Sequence, residues 1–255
     1  MSPADVIRIK ELLPTSLGSA EIRERIARDI LRRSVFSARM TSARYLARVR
    51  DVCTAVVGGD INRADARAQL MTQLAEMGHS PLDEGGLSNP ASIARLNLII
   101  DTQSQMAASV ATLEAQTGAV VEMWPAWRLT RLEGRGMPRQ DWPERWAAAG
   151  ASCGFEGALQ DRFIALKDSP IWQALGDGAG GYRDTLGNPY PPFAYGSGMG
   201  WEDVDAEECE ALGLSTDGAE APRAVSLSPG EREIADAVKR LGFDLNDVAE
   251  GLQWS

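Results

Sequence analysis

The stretch NPASIARLNLIIDTQSQMAASVATLEAQTGAVVEMWPAW, Asn89 to Trp127, decides how the chain is read. Asn89 can cap a helix, and Pro90 suits its first position, where a missing N–H costs nothing. Ile93, Leu96, Ile100, Ala107, Val110 and Leu113 then recur at steps of three, four and seven, the apolar stripe of one long helix. The pattern predicts a helix over about 89–116, about 39 Å at 1.5 Å per residue. Gly118 is expected to stop it, and Trp124-Pro-Ala-Trp127 to keep it from resuming.

Upstream of this rod the chain reads as shorter helices. Residues 1–18 are expected to form an extended arm, because Val6, Ile7 and Ile9 interleave with Arg8 and Lys10 before Leu12-Leu13-Pro14. A helix over 19–36 sets Ile22, Ile26 and Ile30 on a narrow seam, with Arg23, Arg25, Arg28, Arg32 and Arg33 on the other faces. Those five arginines are the candidate contacts for a partner or for DNA. Glu21, Glu24 and Asp29 lie within i,i+3 and i,i+4 reach of them, which favours a packed surface helix over a nucleic-acid platform. A helix over 41–57 follows, with Tyr45, Leu46, Val49, Val52, Cys53 and Val56 on its seam and Gly58-Gly59 at its end. The next runs from a cap at Asp60 or Asn62 to Met77, burying Ala66, Leu70 and Leu74.

Beyond Gly118 the character changes. Trp124, Trp127, Trp142, Trp146, Trp172 and Trp201 are six of the chain's 7 tryptophans, interspersed with prolines and glycines. Residues 128–132 and 162–166 alternate as short strands able to pair, and Asp141 to Gly150 reads as a short helix. Tryptophans burying about 150–250 Å² each can hold such an irregular module together. Gly176-Asp-Gly-Ala-Gly-Gly181 lacks the Gly-Lys-Ser/Thr ending of a phosphate loop and is expected to be a flexible loop. From Trp201 the chain is acidic: a short helix over 203–213, a linker over 214–227, and a capping box at Ser228 opening a last amphipathic segment through Leu252 and Trp254. The expected fold class is mainly α. Its parts are an arm (1–18), a helical domain with one long helix (19–117), a small irregular α+β module with few short strands (118–200) and an acidic helical tail (201–255).

Composition narrows the function classes. The net charge of −10 is unevenly spread: residues 1–50 carry 11 Lys+Arg against 5 Asp+Glu, whereas residues 201–255 carry 4 against 14. Opposite ends of this kind suit contacts between subunits or assembly into a charged particle. His79 is the only histidine, which leaves little for a His-based metal site or a Ser-His-Asp triad. Cys53, Cys153 and Cys209 are too scattered for a disulfide framework or zinc knuckle and are expected as reduced thiols. No signal peptide and no apolar span near 20 residues is present, so a protein away from membranes is expected, with no cofactor, metal or catalytic set.

The order of several short motifs carries a resemblance. Arg95-Leu-Asn-Leu-Ile-Ile-Asp101-Thr102 leads to Met106-Ala-Ala108, then Trp124-Pro125-Ala-Trp127 and a strand, then Lys167-Asp-Ser-Pro-Ile-Trp172, and last Tyr190-Pro191-Pro192-Phe193. This resembles the phage Mu F-like head morphogenesis family of minor capsid proteins, over roughly residues 89–205. There a helix of the type RLxxIxDTNxxxAYAAG precedes an aromatic-Pro strand, and a D-x-P-x-W segment precedes Tyr-Pro-Pro. Two family features are missing. No histidine follows the aromatic-Pro strand, and no Cys-Arg-Cys follows Tyr-Pro-Pro, where the chain reads Ala194-Tyr-Gly-Ser-Gly-Met199. The resemblance therefore implies a degenerate member, with Asp101, Thr102, Trp124, Pro125, Trp127, Trp172, Tyr190, Pro191 and Pro192 as its structural motif and no metal site.

What the resemblance implies is a structural virion protein of a tailed phage, made in the host cytoplasm and built into the head near the portal vertex. Its implied partners are the portal protein, other head or head–tail connector proteins, the major capsid protein and packaged DNA. An adaptor ring of identical subunits under the portal is the variant reading. Two rivals stand beside it: a DNA-binding module using the arginines of 19–36, and an effector enzyme built on the glycine-rich loop with Asp177, Arg183 and Asp184.

Overall fold

The computed structural model describes residues 1–79, 86–134, 138–154, 162–223 and 225. The architecture is mainly α, with ten helices and five short strands among the described residues. Two units divide the chain, and their boundary falls inside one helix between Ala108 and Ser109. The divisions expected at 117/118 and 200/201 are not where the packing changes. The segment expected from Ser228 to Trp254 lies outside the described residues.

The first unit opens with helix α1 (Pro3–Arg8), not with an extended arm. Ser2 Oγ accepts the Asp5 N–H at 3.2 Å and the Asp5 carboxylate accepts the Ser2 N–H at 3.2 Å, a capping box with Pro3 behind it. One helical turn then puts Val6 and Ile7 together, both fully buried. Strand β1 (Glu11–Leu12) follows, then α2 (Ser19–Arg25), α3 (Arg28–Arg32) and β2 (Ser34–Val35), which runs parallel to β1. The single helix expected over 19–36 is thus broken. Ile26 and Ala27 are extended, with ψ 131° and 137°. The break still lets Ile22, Ile26 and Ile30 close over Leu13 and Leu17, and it frees Ser34–Val35 to pair with β1.

Helix α4 (Ala43–Gly58) buries Tyr45, Leu46, Val49, Val52 and Cys53 as its seam predicts, with Val56 half-buried at the end. Helix α5 (Arg63–Glu76) is capped by Asn62, whose Oδ1 accepts the N–H groups of Ala64 and Asp65, and it buries Ala66, Leu70 and Leu74. Both α1 and α5 pack on α4, which makes α4 the hub of the unit.

The long helix, α6 (Ile93–Glu114), is 22 residues and starts later than expected. Ser92, not Asn89, caps it by accepting the Arg95 N–H at 3.2 Å, while Asn89 and Pro90 form the turn before it. Ile93 therefore stays exposed, while Leu96, Ile100, Ala107, Val110 and Leu113 are buried. Gly118 does not stop this helix. It opens α7 (Gly118–Met123), capped by Thr117.

The second unit centres on a three-stranded antiparallel sheet of order β4-β3-β5, built from β3 (Ala126–Arg131), β4 (Ile164–Leu166) and β5 (Met199–Val204). The expected pairing of 128–132 with 162–166 is present, with Ala126 opposite Leu166 and Arg128 opposite Ile164. β5 was not expected, because its sequence MGWEDV opens what reads as an acidic tail; it pairs with β3 along six positions, from Ala126↔Val204 to Arg131↔Met199. One sheet face carries Ala126, Ile164 and Val204, covered by Cys209 of α10 (Ala206–Ala211). Helices α8 (Trp142–Cys153) and α9 (Ile171–Asp177) pack on each other. The linker expected from 214 begins with Leu214 packed against that same cluster.

Lys10 gives a measurable consequence. Its ammonium is only 1% exposed and donates to Gln103 Oε1 of α6 at 2.9 Å. Burial pulls its pKa down from 10.5 to about 8, an effect that the Cys53 thiolate, if formed, would oppose. A lysine depressed in this way weakens the fold below pH 8, and the penalty shrinks as pH rises from 8 to 10.5. Lys10→Met should therefore raise the unfolding free energy at pH 7 by about 1–3 kcal/mol. In paired urea titrations the gain over the parent should fall steadily between pH 8 and 10.5.

Candidate functional site

The motif residues from Trp127 onward meet in the second unit. In β3, Trp127 stands opposite Asp203, so Trp201 is its diagonal neighbour on the same sheet face. The two indoles stack at 3.8 Å between centroids and 9° between planes. Trp172 of α9 meets Trp127, Trp146 and Trp201 edge-on at 6.0, 5.5 and 5.8 Å, and Phe193 stacks on it at 6.1 Å. Such pairs contribute about 0.5–1.5 kcal/mol each beyond the area they bury. Tyr190, Pro191 and Pro192 are buried beside Phe193, with a cis Pro191–Pro192 peptide. Pro125 is buried as well, while Trp124 remains exposed.

Polar groups tie this cluster down. The fully buried Lys167 ammonium reaches Asp203 Oδ1 at 2.7 Å and Gln116 Oε1 at 2.7 Å, and lies 5.2 Å from the Trp127 ring centre. Trp127 Nε1 donates to the same Asp203 oxygen at 3.0 Å, and Trp172 Nε1 to the Leu166 carbonyl at 2.8 Å. Lys167 opens the Lys-Asp-Ser-Pro-Ile-Trp segment and Asp203 reads as the start of a helix, and nothing in the sequence pattern pairs them. Their pairing appears only once β5 is placed beside β3.

A second ionic group surrounds Asp184. Arg145 of α8 grips it with two hydrogen bonds, 2.9 and 3.1 Å, and donates from Nε to Asp141 at 3.0 Å. Its guanidinium lies over Tyr182, 4.1 Å from the ring centre, and Arg139 also pairs with Asp184. Burial works to raise the pKa of Asp184, but the hydrogen bonds from Arg145 and the charges of Arg139 and Arg145 outweigh it and hold it below the usual carboxylate range. The loop expected at 176–181 is likewise built in. Gly176 and Asp177 end α9, and a Cβ on Gly176 would sit 1.9 Å from the Asn188 carbonyl oxygen. Asp184 is thus a structural carboxylate, Arg183 points to solvent, and Asp177 closes a helix.

The remaining predicted residues lie in the first unit. Asp101 pairs with Arg63 at 3.2 Å and Thr102 is buried on α6. The five arginines do not share one helix: Arg23 and Arg25 are exposed on α2, Arg28 is exposed and Arg32 half-buried on α3. Arg33 is buried, and its guanidinium is tied to the Asp29 carboxylate at 2.8 Å and to the Asp29 carbonyl. Arg33 is therefore a packed residue, not the exposed contact that its place in the sequence suggests. Among the described residues no three His, Cys, Asp or Glu side chains gather as a metal would require. No helix there is long and apolar enough to cross a membrane. Comparison with known protein families, characterised proteins and solved structures finds no match.

Removing the Asp184 charge leaves the Arg145 guanidinium, 7% exposed, short of its main partner. Asp184→Asn should cost about 2 kcal/mol in urea unfolding at pH 7, and Arg183→Gln less than about 0.5 kcal/mol. Because the Asp184 pKa is depressed, the parent's advantage should be full above the ordinary carboxylate value and fade as pH falls through the folded one.

Proposed function

We propose that this chain is a structural protein of a tailed-phage virion, a minor head protein at the portal vertex that acts in head assembly or in the head–tail connection. The observation that carries the reading is where the family-like motifs go. Trp127, Trp172, Tyr190, Pro191, Pro192 and Phe193, spread over 67 positions of sequence from 127 to 193, are all buried in one aromatic core. They serve as framework. The acids and cations around them pair with one another: Asp203 with Lys167, and Asp184 with Arg145. A framework retained without the family's His and Cys-Arg-Cys positions fits a member kept for assembly.

The expected partner is the portal protein, with neighbouring head and connector proteins and, in the adaptor form, further copies of the chain itself in a ring. The reading is tested by co-expressing the tagged protein with the portal and head–tail proteins of its own phage and taking native masses of what co-purifies. A stoichiometric complex with portal, or a closed ring of this chain, is the expected result. A monomer that passes by portal and shell alike would overturn the proposal.

A further inference from the structure

Strand β5 is a margin of the second unit's sheet, whose order is β4-β3-β5. Successive residues of an antiparallel strand turn their N–H and C=O groups to alternate sides. The Gly198 carbonyl accepts the N–H groups of Leu132 and Glu133, at 3.0 and 3.1 Å, so it faces β3. Gly200, Glu202 and Val204 therefore face β3 as well, opposite Thr130, Arg128 and Ala126. Met199, Trp201 and Asp203 turn their main-chain groups to the outer side. Ser197 Oγ accepts the Met199 N–H at 3.2 Å. Among the described residues, no hydrogen bond takes up the main-chain groups of Trp201 and Asp203.

The chain at this edge is acidic. Glu202 and Asp203 stand on opposite sheet faces, and their side chains are 57% and 49% exposed. Glu202 pairs with Arg128 and Asp203 with Lys167, yet both carboxylates stay half open to solvent. Asp205, Glu207 and Glu210 follow directly and are exposed. No lysine or arginine lies between Arg183 and Arg223 in the sequence. Opposite charges on facing residues stabilise a strand pair, and like charges destabilise it. A second copy would bring the same acids against these, so the edge discriminates against its own kind. A strand carrying lysine and arginine is its complement.

We propose that the outer edge of β5 is a docking site for an extended basic segment of another protein, which joins the sheet as a fourth strand beside β5. The N–H and C=O groups of Trp201 and Asp203 supply the ladder, which gives affinity without regard to side chains. Glu202 on one face and Asp203 on the other select the charge of the incoming residues. The inference rests on the sheet of the second unit and does not depend on the assembly reading.

The test uses the full chain, isotopically labelled, and an octapeptide alternating lysine and valine, with amide hydrogen exchange read by NMR. With the peptide at about ten times its dissociation constant, the Trp201 and Asp203 N–H groups should exchange about tenfold more slowly. The same octapeptide N-methylated at every peptide bond cannot form the ladder and should not protect them. Glu202→Lys leaves Arg128 its Glu208 partner and should weaken the lysine–valine peptide at least about fivefold. Exchange that ignores the lysine–valine peptide would overturn the proposal, as would equal binding of the methylated one or unchanged affinity in Glu202→Lys. A glutamate–valine octapeptide that binds as well would overturn the assignment to a basic partner. A native mass of two chains, with both amides protected before any peptide is added, would give the edge to a second copy and overturn it too.

Discussion

The antiparallel register between β3 and β5 is the constraint on which the second unit depends. With Trp127 opposite Asp203 and Leu129 opposite Trp201, both indoles fall on one sheet face and stack, and Asp203 comes within reach of Lys167 and of the Trp127 N–H. A slip of one residue would send Trp127 to the face where Val204 and Cys209 are already fully buried. The stack, the buried lysine and the position of α9 follow from one pairing. That pairing joins segments about 70 residues apart in sequence, so this unit is held by non-local contacts.

The parts legible in the sequence are those set by short-range periodicity. The seams of α4 and α5, the apolar stripe of α6 and the β3–β4 pair all emerge from spacing alone, because each buries one face of a regular element. Element ends were less legible. Ser92 competes with Asn89 for the same cap, and its hydroxyl wins because Asn89 and Pro90 are used in the preceding turn. Local signals were outweighed elsewhere. The capped helix at Pro3–Arg8 looks like an alternating arm because its two buried residues are adjacent, and the break at Ile26–Ala27 has no glycine or proline to announce it. β5 carries Glu202 and Asp203, an acidic signature that hides a strand whose pairing is decided by Trp127 and Lys167 far upstream.

The same distinction holds for candidate sites. Isolated residues such as Asp177, Asp184 and the glycines at 176–181 invite a catalytic reading in one dimension, yet in three they end a helix, lock an arginine and pass close to a carbonyl. Conversely, Arg95 reads as one more residue of a helix motif, and only the fold shows it donating to Ser37 Oγ and to the Leu87 carbonyl. Spacing can place a side chain on a face; it does not supply the partner opposite.

The central claim is that this framework serves the structure of a virion. Quantitative mass spectrometry of purified, nuclease-treated particles tests it most directly. The account predicts peptides from both units of this chain in intact heads, at a fixed number of copies relative to portal. Particles that assemble, package DNA and infect while containing none of it would contradict the account.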